Sequence, residues 1–452
     1  MVDVTALRSR VAGPVLTPAD GGFAEEVAAW SAGHVHTPDV AVGVTSVDDV
    51  AEAILFARGN GLTVRVQGTG HGALFDITDG MLILTRRLDT LSVDPSTRIA
   101  TVGAGVQWGA VTAAAAEHGL APITGSSTTV GVVGYLTGGG LGPLARSHGF
   151  SSDYVRGFTA VTSDGTIVHA NSEEHIDLYW ALRGGKGGLA IITEVRLELV
   201  ELATMYAGSL LFAEEHIETA LRAWAAYTAS ADASVTTSAA ILRLPDLPFI
   251  PEPIRGRTLL SLRFAYPGDP VDGERFAAPL RSAAPVYLDA LAEIPASAVA
   301  TIHGDPTEPS QSWTLGRMLT GIDQDAITAF LAHAGSGRQF PFVASEFRHL
   351  GNRTAVDVPG GSAVGGRSGA FTLSLIGAPD PSLAAVQPGA AAALLADIAP
   401  WVSPEVTINF ASSIETEEEF AAGWPKDIFD RLATVRGEYD PSNLFAYGPQ
   451  RR

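Results

Sequence analysis

The sequence Val-Arg-Val-Gln-Gly-Thr-Gly-His-Gly at residues 64–72 decides how the rest of this chain is interpreted. Its β-branched start predicts a buried strand, and the alternating glycines that follow allow positive φ and close backbone approach to a ligand. The bare N–H groups of such a loop can form an anion-binding nest that would suit a diphosphate. His71 would then lie beside whatever group the diphosphate carries. A simple glycine-rich turn is the alternative interpretation of this stretch taken alone.

The composition narrows the classes of protein that the chain can belong to. Its 452 residues predict two domains or one large two-lobed body, and a net charge of −20 disfavours nucleic acids and anionic membranes as partners. No apolar run is long enough to span a bilayer, and the start lacks a signal-peptide pattern, so we expect a cytoplasmic protein. The absence of cysteine excludes disulfides, thiolate metal sites and cysteinyl cofactor links.

A second glycine-rich stretch spans residues 125–142 and reads Gly-Ser-Ser-Thr-Thr-Val-Gly-Val-Val-Gly-Tyr-Leu-Thr-Gly-Gly-Gly-Leu-Gly. Each glycine costs about 1 kcal/mol in a helix interior, so this backbone is expected to run flat against a partner. Its hydroxyl and N–H groups could bind phosphates or the edge of a ring. Tight packing of two backbones against each other is the alternative.

The remaining pattern alternates strands with short helices. A helix is predicted over 46–60, where Ser46 and Asp49 form a capping box, and a second over 106–118. Further strands, a hairpin and a short helix are predicted at 81–84, 99–102, 158–169, 177–183 and 189–200. His34 and His36 could be half of a metal site, but no further ligands follow at metal-like spacing, so no metal is predicted.

Four motifs in this order resemble the FAD-linked oxidases of the vanillyl-alcohol oxidase superfamily, in the berberine bridge enzyme-like branch. They are Gly70-His71-Gly72, the 125–142 stretch, the sequence Asp-Leu-Tyr-Trp-Ala-Leu-Arg-Gly-Gly at 177–185, and Tyr-Asp-Pro-Ser-Asn-Leu-Phe at 439–445. The resemblance implies an α+β fold with two lobes. Residues 1–203 would form a PCMH-type FAD-binding domain completed by residues 405–452. Residues 204–404 would form a substrate domain with a large antiparallel sheet backed by helices.

The resemblance also implies FAD as the cofactor, bound covalently through His71. Ser127 stands where some members carry a second, cysteinyl link, and Val130 stands at the position that gates oxygen. The family usually has arginine in place of Gln67 and a serine in place of Gly72. The cofactor-binding residues expected from the resemblance are Gly68, Thr69, Gly70, His71, Gly72, Gly125, Ser126, Ser127, Thr129, Val130, Gly131, Gly134, Gly138, Gly139, Gly140, Ile192 and Asn443.

Candidate catalytic residues lie on a predicted strand over 343–350. A period of two places Glu346 and Arg348 on one face of this strand and His349 on the other. We expect one of these faces to meet the flavin, with Glu346 and then His349 as candidate bases; an outward salt-bridged pair is the alternative. His303 and Asp305 are predicted to lie in a solvated surface loop.

The C-terminal part departs from the family at a position tied to catalysis. The family often has a tyrosine, commonly its catalytic base, shortly before an asparagine, whereas this chain reads Thr407-Ile408-Asn409-Phe410. We expect Asn409 to orient flavin or substrate without titrating. The missing tyrosine puts the standard oxidative mechanism in question for this chain.

Three hypotheses about function follow. The first is an FAD-dependent oxidase of secondary metabolism that takes a hydride from a C–OH or C–N bond of a small molecule and reduces O2 to H2O2. The second is an FAD-containing cyclase with no net redox chemistry, which the missing tyrosine favours. The third is a binding protein that has lost catalysis, against which the glycine-rich stretches argue.

Overall fold

The computed structural model describes residues 2–378, 380–411, 414 and 416–446. The strands in chain order are β1 (Val15–Leu16), β2 (Val40–Gly43), β3 (Val64–Gln67), β4 (Met81–Leu84), β5 (Leu91–Asp94), β6 (Ile99–Gly103), β7 (Leu120–Ala121), β8 (Val155–Val161), β9 (Ile167–Ala170), β10 (Ile191–Glu198), β11 (Val200–Glu201), β12 (Thr204–Ala213), β13 (Thr236–Arg243), β14 (Thr258–Tyr266), β15 (Val286–Asp289), β16 (Ala292–Pro295), β17 (Thr314–Leu319), β18 (Phe342–His349) and β19 (Phe371–Gly377).

The α-helices in chain order are α1 (Thr5–Arg8), α2 (Phe23–Val27), α3 (Val47–Gly59), α4 (Trp108–Ala116), α5 (Val132–Leu136), α6 (Ala145–His148), α7 (Ile176–Leu182), α8 (Ile217–Thr228), α9 (Pro270–Arg281), α10 (Gln324–Ala334), α11 (Pro381–Ala384), α12 (Gln387–Asp397), α13 (Glu417–Ala421) and α14 (Lys426–Tyr439). Short 3₁₀ helices lie at Ser151–Tyr154, Glu214–His216, Ala296–Ile302, Asn352–Ala355 and Ala399–Trp401. Among the described residues, no helix has both the length and the apolar content that crossing a membrane requires.

Two small sheets form the N-terminal part of the fold. The first has the strand order β1-β2-β4-β3, in which β4 pairs in parallel with both β2 and β3. The second has the order β5-β6-β10-β8-β9 and is antiparallel. Helix α3 begins after Ser46, whose side chain accepts a hydrogen bond from the Asp49 N–H, and it delivers the chain to β3. The predicted helix over 46–60 and the strand before the first glycines are therefore confirmed.

A large antiparallel sheet follows, with the order β15-β12-β14-β13-β18-β19-β17 and β16 paired to β12. Helices α8, α9, α10 and α12 cover one of its faces and bury Trp224, Phe330 and Phe347 in a common core. Strands expose alternate residues to opposite faces, so the register places Arg263, Ser238, Glu346 and Ser374 together on the other face. We call this second surface, on β13, β14, β18 and β19, the polar face. The predicted α+β class and the helix-backed sheet are confirmed.

The C-terminal segment returns to the N-terminal sheets. The Val64 N–H donates to the carbonyl of Leu444, and the Arg436 guanidinium donates to the carbonyl of Gly185 at 2.8 Å. Asp440 fixes this return by accepting hydrogen bonds from two consecutive N–H groups, at 444 and 445. The predicted boundaries at 203 and 404 stay a prediction, and residues 447–452 of the C-terminal call lie outside the described part of the chain.

Two predicted elements differ from the structure. The helix predicted over 106–118 is shorter and spans Trp108–Ala116. No helix was predicted within the stretch over 125–142, yet Val132–Leu136 forms one short helix, whose buried apolar residues pack into the neighbouring core. Gly134 lies inside this helix with open space where a side chain would point.

Candidate functional site

The two glycine-rich stretches meet at His71. The His71 Nε2 atom lies 2.9 Å from the Thr129 hydroxyl oxygen, and a Cβ on Gly131 would lie 3.4 Å from Thr69. Gly70 has a φ of +75°, and a Cβ there would come within 2.6 Å of Ala29. Glycine at this position therefore permits both the turn and the close approach of the N-terminal segment.

Unpartnered backbone N–H groups line both stretches. None of the seven N–H groups over residues 125–131, and none of the five over residues 68–72, donates a hydrogen bond within the described part of the chain. A concentration of free donors of this kind, on glycine-rich backbone with open space at Gly72 and Gly134, suits an anionic group and a flat ring. These residues therefore fit a dinucleotide such as FAD.

His71 is held in a defined orientation. Its ring stacks on the Trp30 indole with centroids 3.8 Å apart and an interplanar angle of 15°. Burial lowers the pKa of His71 to about 4, so the imidazole is neutral at pH 7. The Thr129 hydroxyl beside Nε2 and a hydrogen bond to the Thr129 backbone hold the ring against the stretch over 125–131.

The Ser126 and Ser127 hydroxyls contact different residues. The Ser127 hydroxyl lies 3.2 Å from the Thr129 hydroxyl and so belongs to the His71 environment. The Ser126 hydroxyl donates to Asp305 at 2.5 Å and links this stretch to the loop before β17. The structure thus brings the predicted residues from 68 to 72 and from 125 to 131 into one site.

The second half of the stretch packs against the C-terminal segment. A Cβ on Gly138 would lie 2.0 Å from the Asn409 side chain, so only glycine fits there. The Asn409 amide donates to the Tyr135 carbonyl and accepts from Lys186 Nζ, both at 2.8 Å. Burial lowers the pKa of Lys186 to about 8. Asn409 therefore fixes this backbone through hydrogen bonds, and its expected role of orienting flavin or substrate stays a prediction.

The other cofactor candidates lie at the margins of this arrangement. Gly139 and Gly140 have φ values of +90° and +82° and turn the chain away from α5. Ile192 is buried on β10, and Asn443 lies in the C-terminal loop with a φ of 50°. Both of these residues are several elements away from His71 along the chain, and their contact with a cofactor stays a prediction.

The contacts of Gln67 with His36 account for the glutamine that stands where the family usually has arginine. The Gln67 amide donates to the carbonyls of Val27 and Ala28, and its oxygen lies 3.0 Å from His36 Nε2. His36 also accepts the Ile77 N–H at Nδ1. Both ring nitrogens of His36 are thus engaged in joining the N-terminal segment to β3. Among the described residues, no group of three or more histidines and acidic side chains has the arrangement of a metal site.

Glu346 is the centre of the polar face. Its Oε1 atom accepts hydrogen bonds from Arg263 at 2.6 Å and Ser238 at 2.8 Å, and its Oε2 atom accepts one from Arg348 at 2.8 Å. Although burial opposes ionisation, the nearby Arg348 and Arg263 hold the pKa of Glu346 well below its usual range. A carboxylate stabilised in this way is a weak proton acceptor. The predicted pairing of Glu346 with Arg348 on one face is found.

His303 corrects a sequence-based expectation. It was expected in a solvated loop, but its side chain is 5% exposed and its Nε2 lies 3.5 Å from Glu346 Oε1. Neither ring nitrogen has a hydrogen-bond partner in the described part of the chain, and burial lowers the pKa of His303. The expectation for Asp305 was wrong in the same way, because its carboxylate accepts a hydrogen bond from the Ser126 hydroxyl instead of projecting into solvent. Both side chains fold inward because the preceding 3₁₀ helix buries Ile302.

Tyr135 is a second residue that sequence reasoning missed. Its hydroxyl is buried without a hydrogen-bond partner among the described residues, its ring packs edge-on against Trp108, and burial raises its pKa. Arg348 acts electrostatically on this hydroxyl and so relates the polar face to the glycine-rich stretch. The tyrosine stands inside a motif attributed wholly to glycines, which is why it received no role.

His349 lies on the opposite face of β18 from Glu346, although it lines the same cavity as His303 and Arg348. It is on the helix-covered side of β18, where its ring stacks on Phe371 and its Nε2 lies 3.0 Å from an Arg146 nitrogen. Burial and Arg146 lower the pKa of His349 to about 3. The structure therefore does not bring the second candidate base together with the first, and its catalytic role stays a prediction.

Comparisons with known proteins agree with this site. A family profile described as an FAD binding domain matches residues 38–171. The (R)-6-hydroxynicotine oxidase of Paenarthrobacter nicotinovorans is 34% identical over 206 residues, which cover 45% of each chain. The chain thus aligns with less than half the length of this curated relative.

Solved structures extend the similarity in fold over the whole chain. The 6-hydroxy-D-nicotine oxidase of Arthrobacter nicotinovorans has a TM-score of 0.82 at 23% identity, with 99% of each chain covered. The glucooligosaccharide oxidase of Acremonium strictum has a TM-score of 0.81 at 19% identity, with 98% of each chain covered, and its description names a 6-S-cysteinyl, 8α-N1-histidyl FAD. These proteins are oxidases by name, and the cyclase alternative gains no support from them.

Proposed function

We propose that this chain is an FAD-linked oxidase of the vanillyl-alcohol oxidase superfamily and that it oxidises a C–OH or C–N bond of a small molecule. When bound, FAD supplies the hydride acceptor and passes the two electrons to O2, giving H2O2. The observation that carries the proposal is the pair of glycine-rich stretches, whose unpartnered N–H groups meet at His71. The polar face of the large sheet supplies the side chains that act on the substrate.

His71 is the proposed point of covalent attachment. The lowered pKa supports a neutral imidazole, which keeps a lone pair on one ring nitrogen for bond formation. The stacked Trp30 restricts rotation of the ring. The chain has no cysteine, so a second, cysteinyl link of the kind named for the glucooligosaccharide oxidase has no side chain to form it.

Oxidation of an alcohol or amine releases a proton that a nearby group must accept. We assign this role to His303, because its imidazole is buried and neutral and its Nε2 lies 3.5 Å from Glu346 Oε1. Glu346 then orients His303 and stabilises its protonated form, and it is not itself the base. This assignment replaces the tyrosine that the family often supplies before Asn409.

The test does not need the substrate. Purified protein is reduced with dithionite without oxygen and then mixed with oxygenated buffer, and flavin absorbance and H2O2 are followed. We expect complete reoxidation with one H2O2 per flavin, and slower reoxidation in Val130→Leu, as the resemblance implies for that position. Purified protein that takes up no FAD, or reduced flavin that persists in oxygenated buffer, would reject the proposal.

A further inference from the structure

The polar face holds a buried arginine, Arg263, and a half-buried one, Arg348, but one carboxylate that pairs with both. The side chains of Arg263 and Arg348 are 10% and 18% exposed, and each donates to Glu346. Asp305 acts electrostatically on Arg348 but forms no ion pair with it in the described part of the chain. Close to the sheet, the cations therefore outnumber the acidic groups that bind them.

Arg348 has hydrogen-bond donors to spare. Its Nε donates to Glu346 at 2.8 Å, whereas its two terminal nitrogens donate to no described residue. The Arg263 Nε atom is also buried without a partner there. Burial of the Arg263 Nε donor without a hydrogen bond is costly, and the terminal nitrogens of Arg348 are available to an acceptor.

The surroundings of Arg348 suit a small organic anion. A cavity beside it is lined by the polar Arg263, His303 and His349 and by the apolar Leu141 and Ile302. The guanidinium also lies 5.1 Å from the centre of the Phe410 ring. This combination of a cation with apolar walls is typical of sites for small ligands with one charged end.

Two hydroxyls on the polar face also lack hydrogen-bond partners within the described residues. Ser374 lies opposite Glu346 and Thr372 lies opposite Arg348 in the register of β18 and β19, so both are on the polar face. Both hydroxyls are buried and have no hydrogen-bond partner within the described residues. They add donors beside the free end of Arg348.

We infer that the substrate carries a carboxylate, and that the terminal nitrogens of Arg348 bind it. The planar guanidinium fork matches a carboxylate through two parallel hydrogen bonds, and Glu346 fixes the fork by holding Nε. Glu346 is thus a positioning residue for Arg348 as well as for His303. This inference rests on the proposed oxidase function and adds the substrate class to it.

Carboxylates and their amides provide the probes. Calorimetric titration of the FAD-loaded protein with benzoate, phenylacetate and nicotinate, and with the amide of each, measures the preference for the charged group directly. We expect at least one carboxylate to bind about tenfold or more tightly than its amide. Arg348→Gln is expected to abolish this preference and keep the FAD content. Arg317→Gln is the matched control, because Arg317 lies on β17 opposite Leu373, on the helix-covered face, and should keep it.

Two results would overturn the inference: no carboxylate of the panel binds more tightly than its amide, or Arg348→Gln keeps the preference. If Arg348→Gln does not fold, Arg348→Lys keeps the charge without the fork and should reduce the preference; an unchanged preference counts against the inference. Reoxidation by O2 is measured on the same sample. Protein that reoxidises with H2O2 formation but shows no preference rejects the carboxylate and leaves the oxidase function standing.

Discussion

The glycine-rich stretches and the polar face satisfy their polar groups in opposite ways. Residues 68–72 and 125–131 carry almost no charge and leave their backbone donors unpaired within the described chain, as a site completed by a cofactor requires. The polar face is charged, and Glu346 accepts from three side chains before any ligand arrives. The difference teaches that the proposed cofactor site depends on the backbone, whereas the proposed substrate site depends on a preorganised ion-pair network.

The largest expected effect is a loss of stability, and it comes from a change in the polar face. Glu346→Ala leaves two arginines without their carboxylate and is expected to lower the free energy of unfolding by about 3–5 kcal/mol. Lys426→Ala removes an exposed ion pair with Asp430 and should cost less than about 1 kcal/mol. Urea unfolding of the FAD-free proteins measures both. A loss below about 1 kcal/mol for Glu346→Ala would show that the network does not stabilise the fold.

Two glycines test the other region. Gly138→Ala places a methyl group on Asn409 and is expected to cost about 1–3 kcal/mol of stability through overpacking. Gly134→Ala meets open space and lies in α5, so the FAD-free protein should keep or slightly gain stability while FAD affinity falls. Urea unfolding and FAD titration separate these outcomes. If Gly134→Ala binds FAD as well as the wild type, the space at Gly134 does not face the cofactor.

The glycine-rich stretches could be predicted from the sequence more fully than the polar face could. The stretch around His71 and the stretch over 125–142 consist of consecutive residues, so their local pattern predicted both loops, although not their contact through His71 and Thr129. The polar face assembles Arg263, His303 and Glu346 from three separate elements, and its pairing depends on long-range strand register. A period of two predicted that Glu346 and Arg348 share a face, but it could not show that His303 folds inward to meet them.

The dependence of stability on pH should distinguish the helix-covered side of the large sheet from its polar face. The pKa of His349 is about 3 in the fold and near 6.5 when unfolded, so between these values only the unfolded chain binds the proton. Stability is therefore lost as pH falls from about 6.5 towards 3, by up to about 1.4 kcal/mol per pH unit for this residue. His349→Gln should reduce the slope of unfolding free energy against pH in this window. An unchanged slope would mean that His349 is not held neutral.

The smallest expected effect concerns the partner of His71. Thr129→Val removes the hydroxyl beside Nε2, which is worth about 1 kcal/mol, and should slow covalent attachment of FAD about fivefold. Ser127→Ala changes the neighbouring hydroxyl, which lies 3.2 Å from Thr129, and serves as the matched control. The time course of acid-stable flavin fluorescence on adding FAD to FAD-free protein compares the two. Equal rates for both variants and the wild type would show that the Thr129 hydroxyl does not assist covalent attachment.

The central claim is that the two glycine-rich stretches hold FAD with His71 as its covalent anchor. The most direct measurement is the mass of the denatured intact protein, followed by mapping of the flavin-bearing peptide, in the wild type and in His71→Ala. The account predicts the 46.9 kDa chain plus one FAD on the peptide that contains residue 71, and the unmodified mass for the variant. An unmodified wild-type mass, or FAD on a different peptide, would contradict it.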